Sequence, residues 1–250
     1  MRLEEFAAKL EAARAVVFFT GAGISTESGV PDFRSPGGVW TRYQPVYFDE
    51  FLTSEAARIR HWKLKKESYE LYRTVAPNVA HRAVREFERR GQLLGLITQN
   101  VDGLHSLSGI SESRLVELHG TDRRIECLSC RKSFDPDAIY PGIVGEFKPP
   151  VCDRCGGFLK SATVSFGQPM PTEAMRRARA WSEAADVFVV VGSSLQVQPA
   201  ASFPVIAKRN GALLAIVNRD ETPLDGLADF IHRGAIGEFF ENLMPRLSRR

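Results

Sequence analysis

Long apolar runs are missing from this 250-residue chain. The best of them, Ala15 to Phe19 and Val187 to Val191, are strand-sized, far short of the roughly 20 residues that a membrane-spanning helix needs. The N-terminus carries Glu4 and Glu5 in an alternating pattern and lacks the apolar core of a secretory signal. An excess of one charge is missing too. The 33 basic residues face 30 acidic ones, a net charge of +3, which argues against a nucleic-acid partner. Cysteine is scarce: there are four, and a chain of this length buries enough core to fold without disulfides. These absences imply a cytoplasmic protein with no membrane partner, in which the cysteines serve something other than disulfides. There is no internal repeat and no low-complexity segment.

What is present is an alternation of short β-branched apolar runs with amphipathic stretches. Strands are expected at Val16 to Phe19, Leu93 to Thr98, Leu115 to Leu118, Ala162 to Ser165, Val187 to Val191 and Leu213 to Val217, with a weaker one at Phe230 to His232. A helix is expected over 79–90, between the N-cap residue Asn78 and Gly91. Others are expected over 172–185 and over 200–210, the latter closed by Gly211. Such alternation predicts an α/β fold, a doubly wound, mainly parallel Rossmann-like sheet covered on both faces. Two stretches break the pattern. Pro36 to Pro77 holds a glycine-rich turn, aromatic residues and a long charged helix pattern around Ile59 to Val75. Gly120 to Gly157 holds all four cysteines together with Pro136, Pro141, Pro149 and Pro150. Both read as insertions that together form a second, smaller lobe.

Each expected strand leads into small or polar residues. These are Gly21-Ala22-Gly23, Gln99-Asn100-Val101-Asp102, His119-Gly120, Phe166-Gly167-Gln168, Gly192-Ser193-Ser194 and Asn218-Arg219-Asp220. The carboxyl ends of parallel strands share one edge, where ligands bind, so one composite site is expected. The Gly21-x-Gly23 turn suits a close backbone approach to a pyrophosphate. However, Thr26 occupies the place of the third glycine of the dehydrogenase fingerprint, and the second strand ends in Thr98-Gln99-Asn100 without an acid to hold a ribose. Hydride transfer is therefore disfavoured.

The cysteines fall in two pairs, Cys127-x-x-Cys130 and Cys152-x-x-Cys155, separated by 21 residues. Two such pairs can close a tetrahedral thiolate site around one structural zinc ion, leaving no coordination position open to activate water. A nucleic-acid-binding ribbon would need a dense basic stripe. Here Glu126, Asp135, Asp137 and Glu146 dilute Arg123, Arg124 and Arg131.

The segment from Gly21 to Ser35, GAGISTESGVPDFRS, resembles the cofactor-binding signature of the sirtuins, the NAD-dependent protein deacylases. Thr98 to His105, TQNVDGLH, is similar to their second signature, and Leu118-His119-Gly120 to their catalytic one. The cysteine pairs, Phe166-Gly167, Gly192-Ser193-Ser194-Leu195 and Val217-Asn218 follow in the family's order, so the likeness covers nearly the whole chain. It implies an NAD-binding Rossmann-like domain of residues 1–36, 78–119 and 158–250. The small lobe would comprise a helical insertion of residues 37–77 and a zinc-binding insertion of residues 120–157.

The resemblance also implies a reaction: the acyl group of a modified lysine passes to ADP-ribose, with NAD as co-substrate and nicotinamide released. Gly21, Ala22 and Gly23 would approach the cofactor's phosphates, with Asp32 and Arg34 nearby. Ile24, Asn100 and Asp102 would surround the nicotinamide, and Phe33 would cover the reacting ribose. Gln99 would touch that ribose and help to orient His119, the base that takes a proton from a ribose hydroxyl. Histidine suits this role because its ordinary pKa lies near neutral pH. Gly192, Ser193, Ser194, Asn218, Arg219 and Asp220 would serve the adenosine half, closed by Ile236. An acyl-lysine protein or peptide would lie as an extended strand along Val164, Phe166 and Gly167 on one side and Leu195 and Val197 on the other. Gln168 departs from the glutamate of many relatives. His61, His81, His105 and His232 are read as structural.

Two other functions fit parts of the pattern. One is mono-ADP-ribosyl transfer to a protein side chain, which does not need the base His119; the other is NAD or ADP-ribose sensing without catalysis, which does not need Asn100, Asp102 or His119. Sirtuins that prefer succinyl or malonyl lysine carry a tyrosine and, three residues later, an arginine in the first insertion. The matching positions here are Trp62 and Lys65, so neutral acyl groups are expected to be preferred.

Overall fold

The computed structural model describes residues 1–33 and 35–247. The chain begins α1 (Leu3–Ala12), β1 (Val16–Thr20), α2 (Val39–Arg42), α3 (Phe48–Thr53), α4 (Glu55–Tyr72), α5 (Val79–Arg89) and β2 (Leu93–Thr98). It continues α6 (Leu104–Leu107), β3 (Leu115–Glu117), β4 (Gly120–Cys127), β5 (Ser133–Phe134), α7 (Pro136–Ile139) and β6 (Leu159–Thr163). It ends α8 (Thr172–Ala184), β7 (Val187–Val191), α9 (Ser202–Arg209), β8 (Leu213–Val217), β9 (Phe230–His232) and α10 (Ile236–Leu243).

Among the described residues, six strands form one sheet in the order β3-β2-β1-β7-β8-β9, and every neighbouring pair is parallel. This is the doubly wound sheet that the alternation implied. A second sheet, ordered β5-β4-β6, is antiparallel.

Side chains along a strand alternate between faces. Val16 and Phe18 of β1 enter a core shared with Phe6 and Leu10 of α1, Val84 and Phe87 of α5, and Phe239 and Phe240 of α10. Val17 and Phe19 enter the opposite core with Ala178 of α8 and Phe203 and Ala207 of α9. Burial on both faces is why β7 reads as an unbroken apolar run rather than an alternating one. Phe18 meets Phe87 edge-on at 5.1 Å between ring centroids. Truncating such a ring to alanine costs about 3–5 kcal/mol.

The helix ends follow local chemistry. Asn78 accepts from the amides of Ala80 and His81 at 3.0 and 3.3 Å, holding the first turn of α5. Just past the other end, Gly91 adopts φ +70°, the left-handed conformation that stops a helix. The helices α1 and α10 are additions to the elements expected from the sequence. Each carries its apolar stripe at i, i+3, i+4 and i+7: Leu3, Phe6, Ala7 and Leu10, and Ile236, Phe239, Phe240 and Leu243.

The expected strand at Ala162 to Ser165 is corrected. It forms as β6, a few residues earlier, and pairs antiparallel with β4 instead of joining the parallel sheet. The chain between β4 and β6 offers no crossover helix of the kind a parallel neighbour requires, whereas an antiparallel return needs only a loop. The stretch beginning at residue 158 therefore starts in the small sheet.

Candidate active site

The strand order reverses between β1 and β7, which places the ends of these two strands at the switch point of the sheet. Their loops touch. The Gly21 amide donates to the Val191 carbonyl at 3.0 Å, and the Gly23 amide to the Gly192 carbonyl at 2.9 Å. A Cβ on Gly21 would lie 2.7 Å from the Gly192 oxygen. One on Gly192, which has φ +63°, would lie 2.3 Å from the Ile24 nitrogen. The glycines are thus needed for loop-to-loop contact, a use the sequence did not reveal. Ala22 is half-buried in the same turn.

Behind β2, a buried polar cluster has formed around Asp102. Its carboxylate accepts from the Ser25 hydroxyl at 2.8 Å and from the Leu104 amide at 2.9 Å. Asn100 donates to the same Ser25 hydroxyl at 3.1 Å, so one serine ties both site residues together. Burial pushes the Asp102 carboxyl above its ordinary pKa, against the pull of these hydrogen bonds and of the Arg123 charge. Ile24 is held from the helical side, where Asn78 donates to its carbonyl at 2.7 Å.

His119 follows β3. Its Nδ1 lies 3.0 Å from the Gln99 carbonyl. A carbonyl only accepts, so Nδ1 carries the proton and Nε2 keeps its lone pair. Burial lowers the His119 pKa, and the Gln99 carbonyl partly offsets this. The neutral, basic form therefore dominates at pH 7. The Gln99 side chain donates to the Ser193 hydroxyl at 2.8 Å, joining the ends of β2 and β7 across 94 residues.

The remaining sequence-predicted residues divide by surroundings. Asn218 donates to the Asp220 carbonyl at 2.8 Å, and Arg219 pairs with the Asp220 carboxylate, both of the latter exposed. Arg219 also donates to Ser35 at 3.2 Å. Asp32 accepts from the Ser35 amide and hydroxyl at 2.7 and 2.5 Å, so its carboxylate shapes the turn beside half-buried Phe33. Arg34 lies outside the described residues. Ser194 is half-buried. Ile236 is buried in the core at the start of α10. The next amide, that of Gly237, donates to Glu27 at 2.9 Å and links α10 to the segment after β1.

In the segment expected to hold the peptide, the Val164 amide donates to the His119 carbonyl at 2.8 Å. Phe166 is exposed, meets the Tyr47 ring at 5.8 Å, and accepts at its carbonyl from the Phe48 amide. Gly167 follows with φ +81°. Across from this segment in sequence, Leu195 is buried at φ +54°, a conformation rarely adopted by a branched side chain. Val197 is half-buried. The cluster Phe166-Gly167-Gln168 thus reaches the site through the small sheet and not from the edge of the parallel one.

The thiols of Cys127, Cys130, Cys152 and Cys155 lie within 4.8 Å of one another. Two of the separations are 3.5 Å, between Cys127 and Cys155, and 3.7 Å, between Cys130 and Cys152. A zinc–sulfur bond of about 2.3 Å makes a tetrahedral sulfur–sulfur edge of about 3.8 Å, so the four fit a closed zinc site. Two backbone turns present them: the Arg131 amide donates to the Cys127 carbonyl, and the Gly156 amide to the Cys152 carbonyl.

The site also fits NAD by the chemistry of its donors and acceptors. The Asp102 carboxylate retains lone pairs for an amide head, His119 presents a neutral ring nitrogen, and the loops after β2, β7 and β8 offer serine and asparagine side chains. Sequence reasoning missed the supporting residues Ser25, Asn78, Glu27 and Arg123. Ser25 and Glu27 stand inside the first signature and could have been found there, and Asn78 was legible as a helix cap; its contact with Ile24 and the contacts of Arg123 are set only by tertiary structure. Arg123 donates to the Asp102 carbonyl and to the Tyr72 carbonyl, both at 2.9 Å, bracing the site loop against α4.

Comparison with known proteins gives a consistent result. The model of the Sir2 family matches residues 21–199. An NAD-dependent protein deacetylase of Rhodopseudomonas palustris is 44% identical over 236 residues, covering 94% of this chain and 93% of that protein. A solved structure of Sir2 with a p53 peptide and NAD+ superposes with a TM-score of 0.89 at 34% identity, covering 98% of each chain. Another, of Sir2 with deacetylated p53 peptide and 3′-O-acetyl ADP-ribose, has a TM-score of 0.91 at 34% identity, covering 99% of this chain and 100% of that one.

Proposed function

Because the chain belongs to the Sir2 family, we propose that it removes acyl groups from protein lysines through the residues gathered around His119, consuming NAD and releasing nicotinamide. The observation that carries this reading is the His119 ring, with Nδ1 held by the Gln99 carbonyl and Nε2 left basic. An ADP-ribosyl transferase or a non-catalytic sensor has no need of that base.

When bound, NAD would supply a ribose carbon able to bond to the acyl oxygen as its bond to the departing nicotinamide breaks. Asp102 and Asn100, joined through Ser25, hold the amide head of the nicotinamide, with Ile24 beside them. Phe33 covers the ribose face and excludes water, which would otherwise capture the reacting carbon. His119 would take a proton at Nε2 from a ribose hydroxyl, whose oxygen would bond to the acyl carbon so that the lysine amine leaves and water completes the acyl-ADP-ribose. Gln99, fixed by Ser193, keeps the ribose and the base in register. Gly192, Ser194, Asn218, Arg219 and Asp220 serve the adenosine half, with Ile236 at the adenine side.

The acyl-lysine peptide enters as an extended strand between Val164, Phe166 and Gly167 on one side and Leu195 and Val197 on the other. Backbone hydrogen bonding of that kind tolerates many sequences around the lysine. Zinc bound by the four thiolates stabilises the small lobe and takes no part in the chemistry, since a four-cysteine site has no open position. Thiolate ligation suits the reducing cytoplasm, and among the described residues no helix is long and apolar enough to cross a membrane.

The test is to incubate the protein with NAD and an acetyl-lysine peptide and to weigh both products. A peptide lighter by one acetyl group, together with acetyl-ADP-ribose, is the expected result. A peptide heavier by ADP-ribose would establish the transferase instead, and no change in either would leave only binding.

A further inference from the structure

The buried lysine on β6 is used by none of the steps above. Lys160 is 1% exposed, although lysine is seldom fully buried unless paired. Among the described residues, no carboxylate lies within ion-pairing distance of its ammonium. It donates instead to the carbonyl of Thr163, with the Ser161 carbonyl 3.5 Å away. Burial and the nearby Lys65 charge lower its pKa to about 7, against the pull of Asp122 and Glu126.

The carbonyl it holds belongs to the last residue of β6, where the chain turns into the peptide edge. The next amide, Val164, donates to the His119 carbonyl at 2.8 Å. Gly120 pairs with Thr163, and a Cβ there would lie 1.9 Å from the Ala162 oxygen. Residues 162–164 are therefore pressed against the His119-Gly120 turn, and a shift of one moves the other.

We infer that Lys160 is a positioning residue: by holding the Thr163 carbonyl it fixes the end of β6, and through Val164 it sets the peptide edge and the His119 backbone together. This rests on the reading that the acyl peptide lies along residues 164–167. A buried charge without a carboxylate partner is costly to the fold. Methionine would fill a similar volume without that cost, so a role in stability alone would not require lysine.

The experiment compares native protein with K160M and K160R, all loaded with zinc. The readouts are kcat/KM for an acetyl-lysine peptide, the Kd for NAD, the Tm, and hydrogen exchange at the Val164 amide. K160M is expected to lose about tenfold in kcat/KM for the peptide and to exchange the Val164 amide at least tenfold faster. Its Kd for NAD should stay within twofold, and its Tm should be equal or higher. K160R keeps a charged donor and should remain within threefold of native efficiency. The inference is overturned if K160M matches native turnover and exchange, if its Tm, NAD affinity and peptide efficiency all fall together, or if K160R is as impaired as K160M. Native protein that yields no acetyl-ADP-ribose would instead sink the functional reading, and the exchange measurement would still decide the role of Lys160 in fixing β6.

Discussion

Lys65 on α4 and Asp122 on β4 form an ion pair of 2.9 Å, with the aspartate side chain only 2% exposed. Lys65 is therefore not a free surface charge. Its neighbour Trp62 is fully buried in the small-lobe core against Tyr140, at 5.6 Å between ring centroids, so it walls no pocket. Neither residue is available to receive a distal carboxylate, which in any case favours the paired fork of arginine. Acetyl and butyryl peptides should be turned over more efficiently than a succinyl peptide of the same sequence. A side-by-side comparison of kcat/KM checks this, and a clear win for succinyl would contradict it while leaving the deacylase assignment intact.

Replacement of Cys152 by serine should release the zinc and lower the Tm, because coordination and folding of the small lobe are coupled. Elemental analysis of freshly purified protein should give one zinc per native chain and markedly less for the variant. Native protein without zinc, prepared without chelator, would refute the site.

The His119→Ala protein should lose nearly all acyl transfer yet bind NAD within a few-fold of native, since the proposed role of the residue is in the chemistry and not in holding adenosine. In native protein, burial lowers the His119 pKa. The basic form therefore survives as the pH drops below the ordinary histidine value of 6.5. The acid limb of kcat/KM should have its midpoint below that value, and a limb at or above it would contradict the burial argument.

Ser25→Ala removes the hydroxyl shared by Asp102 and Asn100. A lost hydrogen bond to a buried carboxylate costs about 1.5–3 kcal/mol, so activity should fall at least tenfold with little change in zinc content. Native-like kinetics would show that the two residues hold their positions unaided.

The buried rings of His81 and His105 lie 4.7 Å apart, and burial, followed by the Arg82 charge, lowers the His81 pKa from 6.5 to about 4. The unfolded chain takes the proton first, so this contribution to stability is complete above about 6.5 and is lost as the pH falls towards about 4. Between pH 7 and 5 the loss from His81 is about 2 kcal/mol. Urea denaturation of native protein and of His81→Gln at both pH values should show the smaller decline in the variant. Equal declines would remove His81 as a source of acid sensitivity.

Composition and local patterning were enough to define which chemical groups this protein has and in what order they follow its strands. Strand β7 and the N-cap at Asn78 were legible because an apolar run and a capping side chain act over a few residues of chain. So were the zinc ligands, since each pair is a local turn. The stripes of α1 and α10 were equally local and stood open to the same reading. The choice of partners far apart in sequence was settled by the packing of the elements. Gln99 meets Ser193 across 94 residues, and Lys65 meets Asp122 across 57. The placement of β6 beside β4 belongs with these. Spacing says which residues share a face, but long-range pairing depends on how whole elements pack, and that packing turned Lys65 into an internal ion pair and brought Val164 against the carbonyl of His119.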